Sequence, residues 1–255
     1  MKKVKRILEN LYRFIKAIKQ LGYIGVQRIP TSKELIELNV TVKSNILNGY
    51  EESVLNGGIN PGDQKYLASL LSYLKPVSVL EIGTHVGYST KIIIDTLVKT
   101  TTESIEVTTV DIVDVNALDG PWLKLGESLS PKDRIKCGQN TKLNFIKSDS
   151  VEFLRSTKDR FDFVFLDGSH EGRKIYDELL ALKNNLNPGS VVLIHDYFPR
   201  RKALWSNGKI IYGPVMACEK LFSEGKLRGV VPVGKLPVQT KLSSFMTSLA
   251  LVELE

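Results

Sequence analysis

Apolar residues recur at three- and four-residue spacing through the first part of the chain. The positions are Val4, Ile7, Leu8, Leu11, Phe14, Ile15, Ile18 and Leu21. This spacing places them on one face of a helix and leaves polar residues on the opposite face. It predicts an amphipathic helix over about residues 2–21, which Gly22 and Gly25 would end.

Two further helices are expected before the pattern changes. The polar residues at 31–32 suit the cap of a helix that runs to about residue 46, and Asp63 suits the cap of one that ends near residue 74. The chain then divides into an N-terminal helical extension over residues 1–60 and a main domain over residues 61–255.

From Pro76 onward, short strand-like segments, the first of them a continuous apolar run, alternate with helical segments. The runs that predict strands are 77–83, 104–112, 142–149, 161–167 and 190–196, followed by 228–234 and 243–254. A continuous apolar run is typical of a strand covered on both faces. The alternation predicts an α/β fold with a doubly wound, Rossmann-like, mostly parallel seven-stranded sheet and helices on both of its faces. We expect the last strand at an edge of the sheet.

Composition places the chain among ordinary globular proteins. Of its 255 residues 42% are hydrophobic and 25% are charged, which allows a sizeable core. Its two cysteines, Cys137 and Cys218, are far apart and are expected to be reduced thiols. No run approaches the ~18 apolar residues of a membrane span, and the N-terminus lacks the long apolar core of a secretory signal. A cytoplasmic location is therefore expected.

The positive charge is concentrated at the N-terminus. Residues 1–28 hold eight basic residues and one acidic residue, whereas the rest of the chain holds 27 of each. A neutral body argues against nucleic acid as the main partner. The basic helix either packs on its own domain or on a second subunit of a homodimer, or lies on an anionic membrane surface as a peripheral contact.

Residues suited to binding a nucleoside follow the first three predicted strands. The first strand ends in a loop with the spacing Glu81-x-Gly83-x-x-x-Gly87, in which glycines let the backbone turn tightly and approach a ligand. Asp111 ends the second strand, where a carboxylate can accept hydrogen bonds from ribose hydroxyls. Asp149 and Ser150 end the third strand, where they either cap the next helix or contact an adenine amino group.

Together these features resemble the class I S-adenosylmethionine (SAM)-dependent methyltransferases. The resemblance covers about residues 56–196, and the "GYS" ending of the glycine loop is similar to that of catechol-type O-methyltransferases; His85 stands where the middle glycine is usual. It implies SAM as the cofactor. The residues that it implies for cofactor binding are Glu81, Gly83, Thr84, His85, Gly87, Tyr88, Ser89, Asp111, Asp149, Ser150 and Asp167.

A second group of polar residues follows strands four and five. Asp167 ends the fourth strand, and His195 and Asp196 end the fifth. Two carboxylates and an imidazole at one edge of a sheet make a candidate site for Mg²⁺ or Mn²⁺. His170 lies just beyond Asp167 and could act as the general base, because imidazole titrates near working pH.

This arrangement resembles the metal-dependent sugar O-methyltransferases. The resemblance implies that Asp167 and Asp196 hold the metal and that His170, with Asp167, carries the catalysis; Ser169 and His195 depart from the usual acidic residues. The expected reaction is methylation of a hydroxyl on a sugar or a secondary metabolite. The alternatives are a nucleic-acid methyltransferase, a non-catalytic SAM-fold interaction protein, and a dehydrogenase, for which the Gly-x-Gly-x-x-Gly spacing is absent.

Two long loops are expected to decide which substrate is bound. They span 113–141 and 197–213, and substrate choice in α/β enzymes usually lies on such loops. The second loop holds the basic run Arg200-Arg201-Lys202. This run either faces solvent or meets an acidic substrate such as a sugar phosphate.

Overall fold

The computed structural model describes residues 2–46, 58–241 and 243–255. Within these ranges, three helices precede the sheet: α1 (Lys2–Leu21), α2 (Lys33–Ser44) and α3 (Pro61–Leu74). Helix α1 has the extent that its apolar spacing predicts. Residues 47–57 of the predicted extension lie outside the described residues, and the division of the chain at residue 60 stays a prediction.

The start of α3 differs from the prediction, because Asp63 is not its cap. Asn60 is the cap, and its side-chain oxygen accepts hydrogen bonds from the backbone N–H groups of Gly62 and Asp63, each at 3.1 Å. Pro61 occupies the first helical position, where its missing N–H is not needed. Asp63 therefore lies inside the first turn and is fully buried.

Seven strands form one mixed sheet in the described residues. They are β1 (Ser78–Ile82), β2 (Ile105–Asp111), β3 (Thr141–Lys147), β4 (Phe161–Leu166), β5 (Leu186–Ile194), β6 (Leu227–Pro232) and β7 (Ala250–Leu254). Their order is β3-β2-β1-β4-β5-β7-β6, with the first five strands parallel. The chain order reverses between β1 and β4, so the carboxyl ends of these two strands flank the crevice where ligands bind in such sheets. The predicted fold class is confirmed.

The last strand does not lie at the edge. Strand β7 runs antiparallel between β5 and β6, and β6 is the edge strand. The residues of β7 that pair with β5 are Ala250, Leu251 and Val252, and all three are buried. A strand buried on both faces is better placed between two neighbours than at a solvent edge.

Six more helices connect the strands, two of them only one turn long. They are α4 (Tyr88–Thr100), α5 (Pro121–Lys124), α6 (Pro131–Arg134), α7 (Ser150–Ser156), α8 (Gly172–Leu182) and α9 (Gly213–Ser223). Alternate residues of each central strand face two separate apolar cores. In β4, for example, Phe163 and Phe165 pack with α3 and α4, whereas Val164 and Leu166 pack with α8 and α9.

Helix α1 is buried at one end and exposed at the other. Ala17 and Leu21 belong to the core that includes α8 and α9, while Val4, Leu8 and Leu11 are each more than half exposed. No helix among the described residues is both long and apolar enough to span a bilayer. The exposed half of α1 thus leaves a short apolar face uncovered in the single chain.

Candidate active site

The glycine loop after β1 has the tight backbone that its spacing predicts. Gly83 has a φ of +101°, and a Cβ there would lie 2.5 Å from the carbonyl oxygen of Asp167. Gly87 also has a positive φ, of +74°. His85, which takes the place of the usual middle glycine, adopts the left-handed region with a φ of 48°. The loop therefore keeps a backbone conformation that favours glycine although a side chain is present at its middle position.

Asp111 holds this loop in place. One oxygen of its carboxylate accepts a hydrogen bond from the backbone N–H of His85 at 2.8 Å, and the other accepts one from the N–H of Val113 at 3.1 Å. An ionised carboxylate offers about four acceptor positions, so two remain for hydroxyl donors. Asp111 lines two adjoining cavities, of about 240 and 420 Å³. It is therefore placed to act on both the loop and a ligand.

Glu81 lies fully buried beneath the loop. The hydroxyls of Thr90 and Thr109 donate to one of its carboxyl oxygens, the latter at 2.6 Å. Burial raises the pKa of Glu81 to about 7, although these hydrogen bonds oppose the shift. Its other oxygen has no partner among the described residues. Glu81 thus ties β1, β2 and α4 together directly under the site.

The residues after β3 act as a helix cap. Asp149 accepts a hydrogen bond from the N–H of Val151 at 2.9 Å and forms an ion pair with Lys174 at 2.5 Å. The hydroxyl of Ser150 donates to the buried carboxyl of Glu178, whose pKa burial raises to about 7. All four polar residues, including Asp149 itself, line the 240 Å³ cavity. The capping alternative is observed, and contact with adenine stays a prediction.

A polar cluster fastens the loop 113–141 over the glycine loop. Tyr88 donates its hydroxyl hydrogen bond to Glu127, and the guanidinium of Arg134 lies 4.7 Å from the Tyr88 ring centroid and 2.9 Å from Glu127. Arg134 also donates to the backbone carbonyl of Val86. Sequence reasoning missed Glu127 and Arg134, because they lie in an irregular segment with no period or motif to single them out. Thr84 and Ser89 are also buried, and the hydroxyl of Thr84 lies 2.6 Å from that of Thr109.

The structure brings together the three candidate metal-binding residues. Asp167 follows β4, and His195 and Asp196 follow β5. Each residue offers one potential ligand atom, and these three atoms lie within 4.8 Å of one another. The parallel pairing of β4 with β5 explains this, since Leu166 and Ile194 are register partners and the next residues must be neighbours.

His195 lies between two carboxylates, one of which the sequence did not indicate. Its Nδ1 is 2.8 Å from Asp167 and its Nε2 is 3.0 Å from Asp63. Burial lowers the pKa of His195, but Asp167, Asp196 and Asp63 outweigh it and raise that pKa well above its ordinary value. A protonated imidazole would donate from both nitrogens, one to Asp167 and the other to Asp63.

These residues fit a divalent cation. A histidine that ligates a metal usually donates its other ring N–H to a carboxylate, and Asp63 is placed to accept from Nε2. Nδ1 then faces Asp167 and Asp196 as a nitrogen ligand once its proton has left. Two carboxylate oxygens and one nitrogen suit Mn²⁺ as well as Mg²⁺. Nothing in this donor set favours a closed structural zinc site.

His170 occupies the rim of the same cavity. Its Nε2 lies 2.6 Å from Asp196, while 59% of its side chain stays exposed. Burial raises the pKa of the Asp196 carboxyl, but His195 and His170 lower it to about 2. Since a carboxylate only accepts hydrogen bonds, Nε2 of His170 is the nitrogen that donates to Asp196.

Comparison with known proteins agrees with this geometry. Residues 80–197, which run from β1 to just beyond β5, match a family described as a methyltransferase domain. The chain contains a methyltransferase domain. The class that the sequence predicts is therefore confirmed, and the alternative of a dehydrogenase is not supported. No curated protein matches the sequence of this methyltransferase.

Solved structures show the same fold over nearly the whole chain. An O-methyltransferase from Bacillus cereus, in complex with S-adenosylhomocysteine, is 18% identical, covers 95% of this chain and 100% of its own, and has a TM-score of 0.51. A Klebsiella pneumoniae protein described as a proposed O-methyltransferase is 17% identical, covers 93% of this chain and 94% of its own, and has a TM-score of 0.50. At these identities the likeness shows the fold.

Proposed function

We propose that this methyltransferase transfers the methyl group of SAM to a hydroxyl oxygen of a small molecule, either a sugar or a secondary metabolite. One observation carries the proposal. A single cavity of about 420 Å³ is lined on one side by the glycine loop and on the other by four titratable residues. These are Asp167, His170, His195 and Asp196. A cofactor held by the loop would therefore face groups able to activate a hydroxyl.

The two adjoining cavities divide the cofactor between them. We assign the 240 Å³ cavity to the adenosine part, with the free acceptor positions of Asp111 for the ribose hydroxyls. The methionine part would lie along Gly83, Gly87 and Ser89 in the larger cavity. The two cavities share Gly83, Asp111 and Gly168, so one extended ligand can pass from one to the other.

His170 is the residue we assign as general base. Nδ1 takes the proton of the acceptor hydroxyl, and the carboxylate of Asp196 stabilises the imidazolium that results. When bound, SAM would supply the methyl carbon, and its transfer to the substrate oxygen would leave the electron pair on the sulfur of S-adenosylhomocysteine. The proton released by the hydroxyl would be held on His170.

We assign Asp167, His195 and Asp196 as ligands of a divalent cation that supports this step. A bound cation would lower the pKa of the acceptor hydroxyl and orient it. The chain's own contribution is to fix the ligands, since Asp63 holds His195 and His170 holds Asp196. The preference between Mg²⁺ and Mn²⁺ follows from the single nitrogen ligand and is expected to lean toward Mn²⁺.

Removal of the cation is expected to stop most of the methyl transfer. EDTA-treated protein should regain turnover with Mg²⁺ or Mn²⁺, whereas Asp167→Ala should stay inactive with either ion, because a ligand is gone. The matched control is Asp119→Ala, which removes an exposed carboxylate from the loop after β2. Turnover that is unaffected by EDTA would remove the metal from the mechanism.

Loss of Asp111 is expected to weaken SAM binding by about 10-fold or more. The variant Asp111→Ala removes hydrogen bonds to a charged group, each worth roughly 1.5–3 kcal/mol, both to the loop and to the proposed ribose. Calorimetric titration of SAM measures the change, with Asp119→Ala again as the control. Unaltered affinity in Asp111→Ala would mean that the adenosine part lies elsewhere.

The reaction itself is tested by following methyl transfer from radiolabelled SAM. A panel of sugars, catechols and other hydroxylated metabolites is offered as acceptors, and RNA and DNA are included. Label in a small molecule, with S-adenosylhomocysteine formed in equal amount, supports the proposal. Label in nucleic acid alone, or SAM bound without any transfer, would favour one of the alternatives predicted from the sequence.

We also propose that the protein acts in the cytoplasm and that α1 contacts either a second subunit or a membrane surface. Both cysteines are free thiols, one exposed and one buried, which suits a reducing compartment. The exposed apolar side chains in the first half of α1 support burial against a second subunit, and the lysines around them support an anionic membrane instead. Sedimentation with and without anionic vesicles separates a homodimer from a peripheral membrane contact.

A further inference from the structure

A third cavity lies on the far side of His170 from the cofactor region. Its volume is about 200 Å³, and a single water needs only about 15 Å³ of such space. Helix α1, the start of α8 and the end of the loop before α9 form its walls. Its charged and aromatic lining residues are Arg13, Lys16, His170, Glu171, Lys209 and Tyr212. His170 also lines the 420 Å³ cavity, so it separates the two spaces.

Hydrogen bonds and an aromatic contact hold helix α1 against the loop before α9 at this cavity. The side chain of Asn10 donates to the carbonyl of Gly208 at 2.8 Å and accepts from the N–H of Ile210 at 3.2 Å. These two bonds flank Lys209. One turn further along α1, the ring of Phe14 lies 5.2 Å from that of Tyr212. Lys209 is therefore fixed against the helix turn that carries Arg13.

The cavity carries a surplus of positive charge. Lys16 pairs with Glu171 at 2.6 Å, which neutralises the one carboxylate among the described residues of the lining. Nη1 of Arg13 is buried and has no hydrogen-bond partner among the described residues. The ammonium of Lys209 has no hydrogen bond or ion pair within the described part of the chain either. Among the described residues, neither Arg13 nor Lys209 forms an ion pair, although the charge of Lys209 helps to lower the pKa of Asp196.

A buried guanidinium nitrogen without a partner is unfavourable, because desolvation is not offset by a hydrogen bond. An anionic group with several oxygens would offset it, since arginine forms paired hydrogen bonds with phosphate and carboxylate. The other nearby arginine is not available for this purpose. Arg201 is already bound to Glu219 and to the carbonyl of Gly25, so the basic run singled out in the sequence has a structural role there.

We propose that this cavity binds an anionic group, a phosphate or a carboxylate, of the methyl acceptor. Arg13 and Lys209 hold the anion, and the hydroxyl to be methylated then lies on the other side of His170, in the cavity that faces the cofactor. The N-terminal helix thereby forms part of the substrate site. This assignment rests on the proposed methyl transfer, but binding of the anion can be measured without it.

Inorganic phosphate is the first probe, titrated into the full-length protein with and without S-adenosylhomocysteine. We expect saturable binding that weakens at least 10-fold in the double variant Arg13→Gln/Lys209→Gln. The matched control is Lys5→Gln/Lys19→Gln, which removes the same charge from exposed positions of the same helix. Equal phosphate binding in the two double variants, or no saturable binding in the wild type, would overturn the proposal.

Acetate titrated in the same way distinguishes a carboxylate from a phosphate preference. With acceptors that are turned over, the double variant should raise KM at least 10-fold for an anionic acceptor and leave the neutral parent compound unchanged. An equal effect on both acceptors would contradict the subsite. Thermal melting of each variant shows whether the loss of Arg13 disturbs α1. If it does, the single variant Lys209→Gln still tests the anion site.

The two proposals fail in different ways. Phosphate binding that depends on Arg13 and Lys209, in a protein that transfers no methyl group, would keep the anion site and remove the reaction. Methyl transfer that is indifferent to the charge of the acceptor would keep the reaction and remove the anion site.

Discussion

Replacing Asp63 by alanine is expected to lower the free energy of unfolding by about 3–5 kcal/mol, the usual effect of breaking a buried ion pair. The side chain of Asp63 is fully buried and accepts hydrogen bonds from Nε2 of His195 at 3.0 Å and from the hydroxyl of Ser248 at 3.1 Å. Its loss removes the carboxylate that pairs with His195, leaves His195 and Ser248 only each other at 3.3 Å, and takes an acceptor away from the side-chain amide of Asn60. Urea denaturation measures the change.

The same variant should lose most of its methyl transfer even at a temperature where it is folded, because Asp63 sets the position of His195. Asp63→Asn is the informative companion, since it keeps an acceptor oxygen but not the charge. The control is Asp162→Ala, at the other end of β4, which binds the N–H groups of Val77 and Ser78 far from the site. Full activity in folded Asp63→Ala would show that His195 needs no partner on that side.

His170→Ala is expected to reduce kcat by ~100-fold or more, the lower end of what a general base contributes. SAM affinity should stay unchanged, because the role assigned to His170 is to take the proton of the acceptor. Its 59% exposed side chain contributes little to the core, so the variant should fold normally. Steady-state kinetics with a working acceptor, together with SAM titration, provides both values.

Two further variants test whether the loss of activity is specific to proton transfer by His170. His170→Asn can still donate to Asp196 but cannot take a proton, so it should be as slow as alanine. Arg173→Ala, on the exposed face of α8, should keep full activity, because its ion pair with Asp177 is a surface contact. Normal kcat in both His170 variants would remove this residue from the mechanism.

The central sheet could be predicted from the sequence because short strand-like segments alternate with helical ones, and several of these segments end in an aspartate. The same rule placed Asp111, Asp167 and Asp196 at one edge, since parallel strands share the direction of their carboxyl ends. The approach of His195 to Asp167 also follows from the pairing of β4 and β5. This part of the site depends on local pattern and sheet geometry alone.

Contacts between distant segments could not be predicted in this way. Asp63 meets His195 across 132 positions of sequence, and its local context suggested only a helix cap. Asn60 and Pro61 took that role, which left the carboxylate of Asp63 inside the fold. The cavity beside Arg13 depends likewise on a helix docking against a loop almost 200 residues later.

Strand boundaries were also harder to predict than strand identity. The sequence predicts the fifth strand over 190–196, yet β5 begins at Leu186 and therefore includes Pro188. The pairing with β4 is irregular there, with a register shift between Phe161 and Phe163, which accommodates the proline. The position of β7 between β5 and β6 depends on pairing between distant segments, which the apolar run of β7 alone does not specify.

The most direct test of the account is calorimetric titration of SAM into the full-length protein, first with EDTA and then with Mg²⁺ or Mn²⁺. We expect SAM binding with a dissociation constant on the order of micromolar, and a separate metal-dependent heat that disappears in Asp167→Ala. Absence of SAM binding under both conditions would contradict the central claim that the glycine loop and Asp111 form a SAM site.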